Sequence, residues 1–214
     1  MSGGATHEYI LQGSVIDSNV ENLIQRIKGL ADPKCETFLE HEMVFALKPM
    51  GSNPVQLHCR FDVNSDVNNR VHHLRYVGNI EPESSALMPA PSSTPGGAPM
   101  PVICRKVIES FVRTNDMMHF FRLTGFRFEY EFVAEGTIFT KGHLKITVTK
   151  ISRLEKTGHS STAQKMTGSH FVEMTAMGPS GDHNLAKSMR DFADQLSSVV
   201  KLEKVDYTPL IGQV

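Results

Sequence analysis

Short segments in which apolar and polar residues alternate recur along this chain. In 55–61 the apolar residues fall at every second position, with Gln56, His58 and Arg60 between them. The segment 126–135 repeats the pattern with aromatic residues against Arg127, Glu129 and Glu131. A period of two is typical of a strand with one packed face. The recurrence of such segments, separated by turn residues, predicts a mainly antiparallel β domain.

The other elements follow from the same reasoning. Residues 18–28 have apolar residues at helical spacing, so we predict a helix in which Ser18 and Glu21 form a capping box and Gly29 ends the last turn. Further helices are predicted at 115–123 and after Asp182, whose side chain can cap an apolar stripe through Leu196. Predicted strands are 7–15, 38–47, 55–61, 71–77, 102–111, 126–135, 137–141, 143–154, 170–177 and 199–204, with Gly136 and Gly142 as hairpin positions.

Two Glu-x-Glu segments divide the chain into halves. Each half runs strand, helix and then a Glu-x-Glu strand, and residues 40–44 and 129–133 are similar in sequence. This weak repeat suggests two structurally related halves that close one sheet. Closure would remove free strand edges that attract unwanted pairing.

Composition indicates one domain over residues 1–214 without stabilising crosslinks. Net charge is −1 and the three cysteines are far apart, which argues against a basic nucleic-acid module and a disulfide framework. No signal peptide and no membrane-spanning apolar run is seen. The stretch 79–101, rich in Pro, Ser and Gly, is predicted to be a disordered insertion. A mobile loop is expected at 155–169 and a loose tail at 206–214.

The carboxylates suggest one enzyme hypothesis. If both Glu-x-Glu strands faced the inside of a barrel, Glu40, Glu42, Glu129 and Glu131 could hold a divalent cation and activate water against a phosphate. Tunnel-shaped triphosphatases use such an architecture, with many basic residues around the phosphates. Here the inward candidates look scattered (Arg60, Arg75, Lys145 and Lys150), and Val44 and Val133 stand where a Glu-x-Glu-x-Lys pattern would have Lys.

Less specific interpretations compete with a metal-dependent phosphohydrolase. The four glutamates fit the solvent face of alternating strands. The ten histidines show no zinc-type spacing, and no nucleophile or phosphate-loop motif occurs. Met117, Met118, Phe120 and Phe121 are either core alone or half core and half partner surface. A barrel carrying a lipid or another apolar ligand would need a large, empty apolar interior.

Several segments together resemble one protein family. They are H-E-Y-I-L-Q-G-S-V at 7–15, D-S-N-V-E-N-L at 17–23, E-T-F-L-E-H-E-M-V-F at 36–45, H-L-R-Y-V-G at 73–78, G-F-R-F-E-Y-E-F-V-A-E-G at 125–136 and V-K-L-E-K-V-D at 200–206. This pattern is similar to subunit 18 of the Mediator complex, animal type, over nearly the whole chain. The chain departs from the family pattern at 79–101 and around 155–169.

The resemblance implies properties that the residues alone do not show. It implies an α+β fold: a many-stranded antiparallel barrel, tunnel-like and related in shape to triphosphate tunnel enzymes, with about three flanking helices. It implies a nuclear, non-enzymatic subunit of the Mediator head module, paired with subunit 20 and held by the C-terminal helix of subunit 8. Other head-module subunits such as 17 and, through the assembly, RNA polymerase II are further expected partners. No catalytic or metal-binding residue and no cofactor is implied, and no partner-binding residue is assigned.

Overall fold

Strands with alternating side chains form one sheet, which curves until it closes into a ring. The computed structural model of the protein describes residues 7–48, 54–81, 101–114 and 116–205. The strands are β1 (His7–Ile16), β2 (Cys35–Leu47), β3 (Val55–Asp62), β4 (Val71–Ile80), β5 (Ile103–Arg113), β6 (Arg127–Lys141), β7 (Leu144–Leu154), β8 (Ala163–Lys165) and β9 (Ser169–Gly178). The helices are α1 (Val20–Leu30), α2 (Met117–Leu123) and α3 (His183–Leu196).

The strand order makes a closed barrel. Neighbouring strands follow the order β6, β2, β3, β4, β5, β1, β9 and β7, and β6 also pairs with β7, so that eight strands form a ring. Every pairing is antiparallel. The short strand β8 pairs with the end of β7 outside this ring. The predicted fold class, an antiparallel barrel with about three helices, is confirmed.

The barrel also has the two-half organisation suggested by the weak repeat. When β1, β2, β3 and β4 are exchanged for β5, β6, β7 and β9, the ring of neighbours maps onto itself. The two Glu-x-Glu strands are direct neighbours, because β2 pairs with β6 and Glu42 lies opposite Phe132. This exchange maps the pairs β2–β6 and β1–β5 onto themselves, and the halves also pair at β4–β5 and β1–β9.

The outer surface of the barrel carries the apolar core. The larger cluster lies under α1 and α3, where Leu11 of β1 and Met189 of α3 are fully buried. Asp182 accepts hydrogen bonds from two backbone N–H groups at the start of α3, as predicted. A smaller cluster lies under α2, where the rings of Phe121 and Phe45 stack at 4.0 Å.

The predicted start and end of the first helix are wrong. Residues Asp17–Asn19 form a 3-10 turn, so Ser18 lies inside this turn. Asn19 occupies the N-cap, and its side chain accepts from the Asn22 amide rather than from a backbone N–H of the helix. Gly29 lies within α1 rather than after it. Tertiary contacts fix this start, because the Asp17 carboxylate accepts from the Lys150 ammonium at 2.7 Å.

Two predictions about strands are also wrong, the break at Gly136 and the last strand at 199–204. The strand β6 continues through Gly136, where an added Cβ would lie 2.2 Å from the Val148 carbonyl oxygen. This glycine permits close approach of β7 rather than making a turn. Residues 199–204 form only an isolated bridge between Glu203 and Gln12, while Leu202 lies buried in the core.

The predicted loop regions are described only in part. Within 155–169 a 3-10 turn (Ser160–Thr162) leads into β8, and the mobility expected there stays a prediction. Most of the predicted insertion (82–100) and the tail 206–214 lie outside the described residues. Among the helices of the described part, none is long and apolar enough to cross a membrane.

Candidate functional site

The inner face of the barrel carries a set of charged and polar side chains among apolar ones such as Ile10 and Val44. Strands that are not neighbours in the ring interact through it: the charges of Arg60 on β3 and Lys145 on β7 influence each other, as do those of Arg75 on β4 and Glu173 on β9. The strand registers place these side chains on one face of the wall, because residues that lie directly opposite each other in a ladder share a face. The interior set from these contacts is Glu8, Gln12, Glu40, Glu42, His58, Arg60, His73, Arg75, Arg105, Glu109, Lys145 and Glu173.

Glu8 is the most buried charged group of this set. It bonds to the Arg75 guanidinium and lies 3.1 Å from that of Arg105, and its side chain is 4% exposed. Burial alone would lower the pKa of Arg75, but attraction to Glu8 outweighs it and raises that pKa. A buried carboxylate between two guanidinium groups is neutralised and hydrogen-bonded, which is the condition for keeping a charge inside a protein.

A second group lies between β2, β3 and β4. The Nδ1 atom of His58 is 2.6 Å from a carboxylate oxygen of Glu42, and Arg60 donates to Nδ1 of His73 at 2.8 Å. Burial, followed by the charge of Arg60, lowers the pKa of His73. Because its Nδ1 accepts from a cation, His73 is held neutral with its proton on Nε2.

The four glutamates of the enzyme hypothesis do not form a cluster. Glu40 faces Arg60 at 3.7 Å and Glu42 faces His58 inside the barrel, whereas Glu129 accepts from Gln56 at 3.0 Å. Within the described ranges, no group of three His, Cys, Asp or Glu side chains is placed to hold a metal ion.

Glu131 lies on the opposite side of the barrel wall. It is 2.9 Å from Nε2 of His41, whose ring contacts Phe61 in the cluster under α2. The β2–β6 ladder skips Glu129, since Val44 pairs with Tyr130 and the next residue pairs with Phe128. This bulge changes which face the following residues occupy.

The solvent-face interpretation is also wrong for two of these glutamates. The side chains of Glu42 and Glu131 are only 18% and 7% exposed. In a barrel flanked by helices both faces of a strand can be covered, so polar alternation does not identify the solvent side.

The expectation that the inward basic residues are scattered is wrong for three of them. Arg60, Arg75 and Lys145 lie near one another inside the barrel. Burial, followed by the charge of Arg60, lowers the pKa of the Lys145 ammonium. Lys150 belongs elsewhere, because it is buried on the outer side beside Asp17.

The interior as a whole is nevertheless not basic. Its five carboxylates, Glu8, Glu40, Glu42, Glu109 and Glu173, face three arginines and Lys145. Glu8, Glu109 and Glu173 were missed as site residues because they stand in unremarkable strand segments. The alternation of each strand does show which residues share a polar face. It does not show whether that face points into the barrel or away from it.

A nucleophilic cysteine is disfavoured at Cys59. Burial, followed by the charge of Glu42, raises the pKa of its thiol to about 12. A thiol with such a pKa is uncharged at neutral pH and therefore a weak nucleophile.

The pair Met117 and Phe121 is buried, while Met118 and Phe120 are partly exposed. Half of this cluster therefore belongs to the core, as in the second of the two interpretations drawn from the sequence. Leu123, at the end of the same helix, is 74% exposed.

Comparison with known proteins identifies the family. The Med18 protein family matches residues 7–210. The chain belongs to this family. It is 36% identical over 210 residues to "Mediator of RNA polymerase II transcription subunit 18" of Xenopus laevis, covering 96% of this chain and 93% of that one.

Solved structures share the barrel. A chain of the Schizosaccharomyces pombe Mediator head module superposes with a TM-score of 0.68 at 15% identity, over 93% of this chain and 98% of that one. The protein HpAC1 from Hippeastrum, described as a putative adenylyl cyclase with a dominant triphosphatase activity, gives 0.51 at 11% identity, over 95% and 93%. At these identities the likeness concerns the fold alone.

Proposed function

We propose that this protein is a non-catalytic, structural subunit of the Mediator head module and supports RNA polymerase II transcription through protein–protein contacts. The observation that carries the proposal is family membership across residues 7–210. The interior geometry agrees with it, since Glu8, Glu40 and Glu42 are each paired with a basic group of the barrel rather than presented to a ligand.

The proposed partners follow from the family. They are Mediator subunit 20 as the heterodimer partner, the C-terminal helix of subunit 8, other head subunits such as 17, and RNA polymerase II through the assembly. The proposed location is the nucleus. A net charge of −1 supports binding to proteins rather than direct, sequence-specific binding to nucleic acid.

The surface offers apolar area for such partners. Large hydrophobic side chains are exposed on β5 and α2, with Phe111 at 71% and Phe120 at 46%. Exposed aromatic and aliphatic residues of this kind often mark interaction sites.

Co-expression with subunit 20 of the same organism tests the proposal. The expected result is a single 1:1 species in size-exclusion chromatography with light scattering. A chain that has native circular dichroism and still never co-elutes with subunit 20 would contradict the heterodimer.

The phosphohydrolase is the competing function, favoured by the convergence of Arg60, Arg75 and Lys145 in a barrel shared with HpAC1. Phosphate release from inorganic triphosphate with Mg²⁺ or Mn²⁺ tests it, and we expect no release above buffer. Release that both Glu40→Ala and Lys145→Ala abolish would overturn the non-catalytic assignment. Release that neither variant changes comes from a contaminant.

A further inference from the structure

The strand β5 is covered along one edge and only partly along the other. On one side β4 pairs with it from Val71 opposite Arg113 to Val77 opposite Val107 and, after a register shift, at Ile80 opposite Arg105. The extra residue of this shift lies in β4, so the alternation along β5 is unbroken. On the other side β1 pairs only His7–Ile10 with Ile103–Lys106. From Val107 to Arg113, no strand of the described chain pairs with this second edge.

The open edge presents backbone groups for hydrogen bonding. The carbonyl oxygen of Cys104 accepts from the Glu81 N–H, so residues of the same parity as Cys104 direct their backbone groups toward β4. In a strand, successive residues alternate sides. Val107, Glu109, Phe111 and Arg113 therefore direct their N–H and C=O groups to the open side.

Apolar side chains on both faces of β5 accompany these groups. Ile108 is 53% and Phe111 71% exposed, and their spacing places them on opposite faces of the strand. A neighbouring strand would bring its side chains to about 5 Å from those of β5 on both faces. An added strand would thus cover both apolar residues together with the free backbone groups.

We propose that the edge Val107–Arg113 is a docking edge that binds an extended segment of a partner protein as an added antiparallel strand. Antiparallel pairing is the arrangement of the whole barrel, and such a segment would continue the line of β1 and end beside His7. The segment would begin with a carboxylate opposite Arg113 and carry β-branched residues on both faces, without a carboxylate opposite Glu109.

The chain's own first residues are the alternative occupant. The β1–β5 register, continued backwards, would set residues 1–6 opposite 107–112. Their sequence, Met-Ser-Gly-Gly-Ala-Thr, contains two glycines and no β-branched residue before Thr6, so it is a poor strand former. A partner segment is therefore the better occupant.

This inference deepens the proposed function and rests on it for the choice of natural partner. Its first test uses the free full-length chain and residue-resolved hydrogen exchange. The amides of Val107, Glu109, Phe111 and Arg113 should exchange at least about tenfold faster than those of Ile108, Ser110 and Val112. Equal protection of both sets of amides would overturn the docking edge. A difference in exchange rate that arises only after residues 1–6 are deleted would also overturn it, because these residues would then be the occupant of the edge.

The second test adds two probes separately, the co-expressed head-module subunits and the peptide Asp-Thr-Val-Thr-Val-Thr. Either should slow exchange at Val107, Glu109, Phe111 and Arg113 by at least about tenfold. Protection by neither probe overturns the docking edge. If the chain assembles with the other subunits but this edge gains no protection from them or from the peptide, the docking edge is overturned and the proposed function stands. If the peptide protects the edge but the chain never assembles with those subunits, the result counts against the proposed function alone.

A matched pair of variants isolates the backbone contribution. Glu109→Pro removes a free N–H without touching the β4 ladder, and Glu109→Ala removes the same carboxylate but keeps the N–H. We expect the peptide-induced protection to be lost in E109P and kept in E109A. Loss in both variants would assign binding to the carboxylate and overturn the strand. A dimer of the free chain that E109P dissociates would overturn the partner segment in favour of a second copy.

Discussion

At the scale of single residues, the interior shows that a charged side chain takes its role from its neighbours. Glu8 is neutralised between two arginines, whereas Glu131, on the other face of the wall, is paired with His41. Breaking one member of such a pair is costly because the other charge stays buried. Removing one partner of either pair should therefore destabilise the barrel.

The pH dependence of folding should report the Glu42–His58 contact. Burial would raise the pKa of Glu42, but the hydrogen bond and charge of His58, with two nearby arginines, outweigh burial and lower it. A pKa lower in the folded state stabilises the protein above the ordinary value of 4.5 and loses that contribution as pH falls through the folded-state pKa.

Urea unfolding at a series of pH values between about 6 and 3 checks this expectation. The free energy of unfolding should fall less steeply below pH 4.5 in Glu42→Gln than in the wild type. Glu21→Gln on the exposed side of α1 serves as control and should keep the wild-type slope. Parallel slopes for E42Q and wild type would contradict the shifted pKa.

At the scale of elements, the short helix α2 depends on its contacts. Seven residues are too few for an isolated helix to be stable in water. Asp116 accepts from the His119 N–H at its start, and Phe121 packs between the rings of Phe45 and Phe126. The helix is therefore held by the aromatic cluster that it covers.

Replacement of adjacent phenylalanines in α2 should have unequal effects. Phe121→Ala removes a ring that is 1% exposed and should lower the free energy of unfolding by about 3–5 kcal/mol. Phe120→Ala, in the same helix but half-exposed, should cost less than about 1 kcal/mol. Chemical denaturation of both variants measures these free energies of unfolding. Equal losses of stability in the two variants would mean that the aromatic cluster does not anchor the helix.

Glycine positions in the elements should also respond in opposite directions. An alanine methyl at Gly29 of α1 meets no atom within 4 Å, so Gly29→Ala should stabilise the protein by about 0.5–1 kcal/mol. At Gly13 of β1 the same methyl would lie 2.3 Å from the Lys201 carbonyl oxygen, and Gly13→Ala should destabilise. Thermal unfolding of the two variants measures both signs, and stabilisation by G13A would contradict the close approach of the two segments.

At the scale of the whole molecule, the two strand pairs that the exchange of halves maps onto themselves differ in length. β2 and β6 pair over most of their length, but β1 and β5 share only four residue pairs. Beyond them the segment after α3 runs along β1, with a bridge from Glu203 to Gln12. The edge of β1 beyond its short pairing with β5 is thus bridged by a segment far away in the sequence.

Removing the anchor of that segment should weaken the entire domain. Leu202 is 2% exposed in the main core, so Leu202→Ala should cost about 2–4 kcal/mol. Lys201→Ala, with its side chain 74% exposed, should stay within about 0.5 kcal/mol. The comparison is made by urea denaturation; a Leu202→Ala variant as stable as wild type would show that this segment does not contribute to the core.

Local patterns along the chain were enough to predict much of this protein. Period-two alternation predicted the strands, the apolar stripe after Asp182 predicted α3 and its cap, and the segments at 7–15 and 125–136 indicated the family. These features depend on neighbours a few residues apart, which a single chain records directly.

Which face of each strand points inward is set by long-range packing and could not be predicted from local patterns. Alternation defines two faces, but whether Glu42 or Met43 lines the interior depends on how the sheet curves and where the helices pack. The bulge at Glu129 and the unbroken strand at Gly136 likewise arise from pairing partners. Ring closure joins residues that are distant in sequence, so the polar cluster inside the barrel and the open edge of β5 are properties of the assembled barrel.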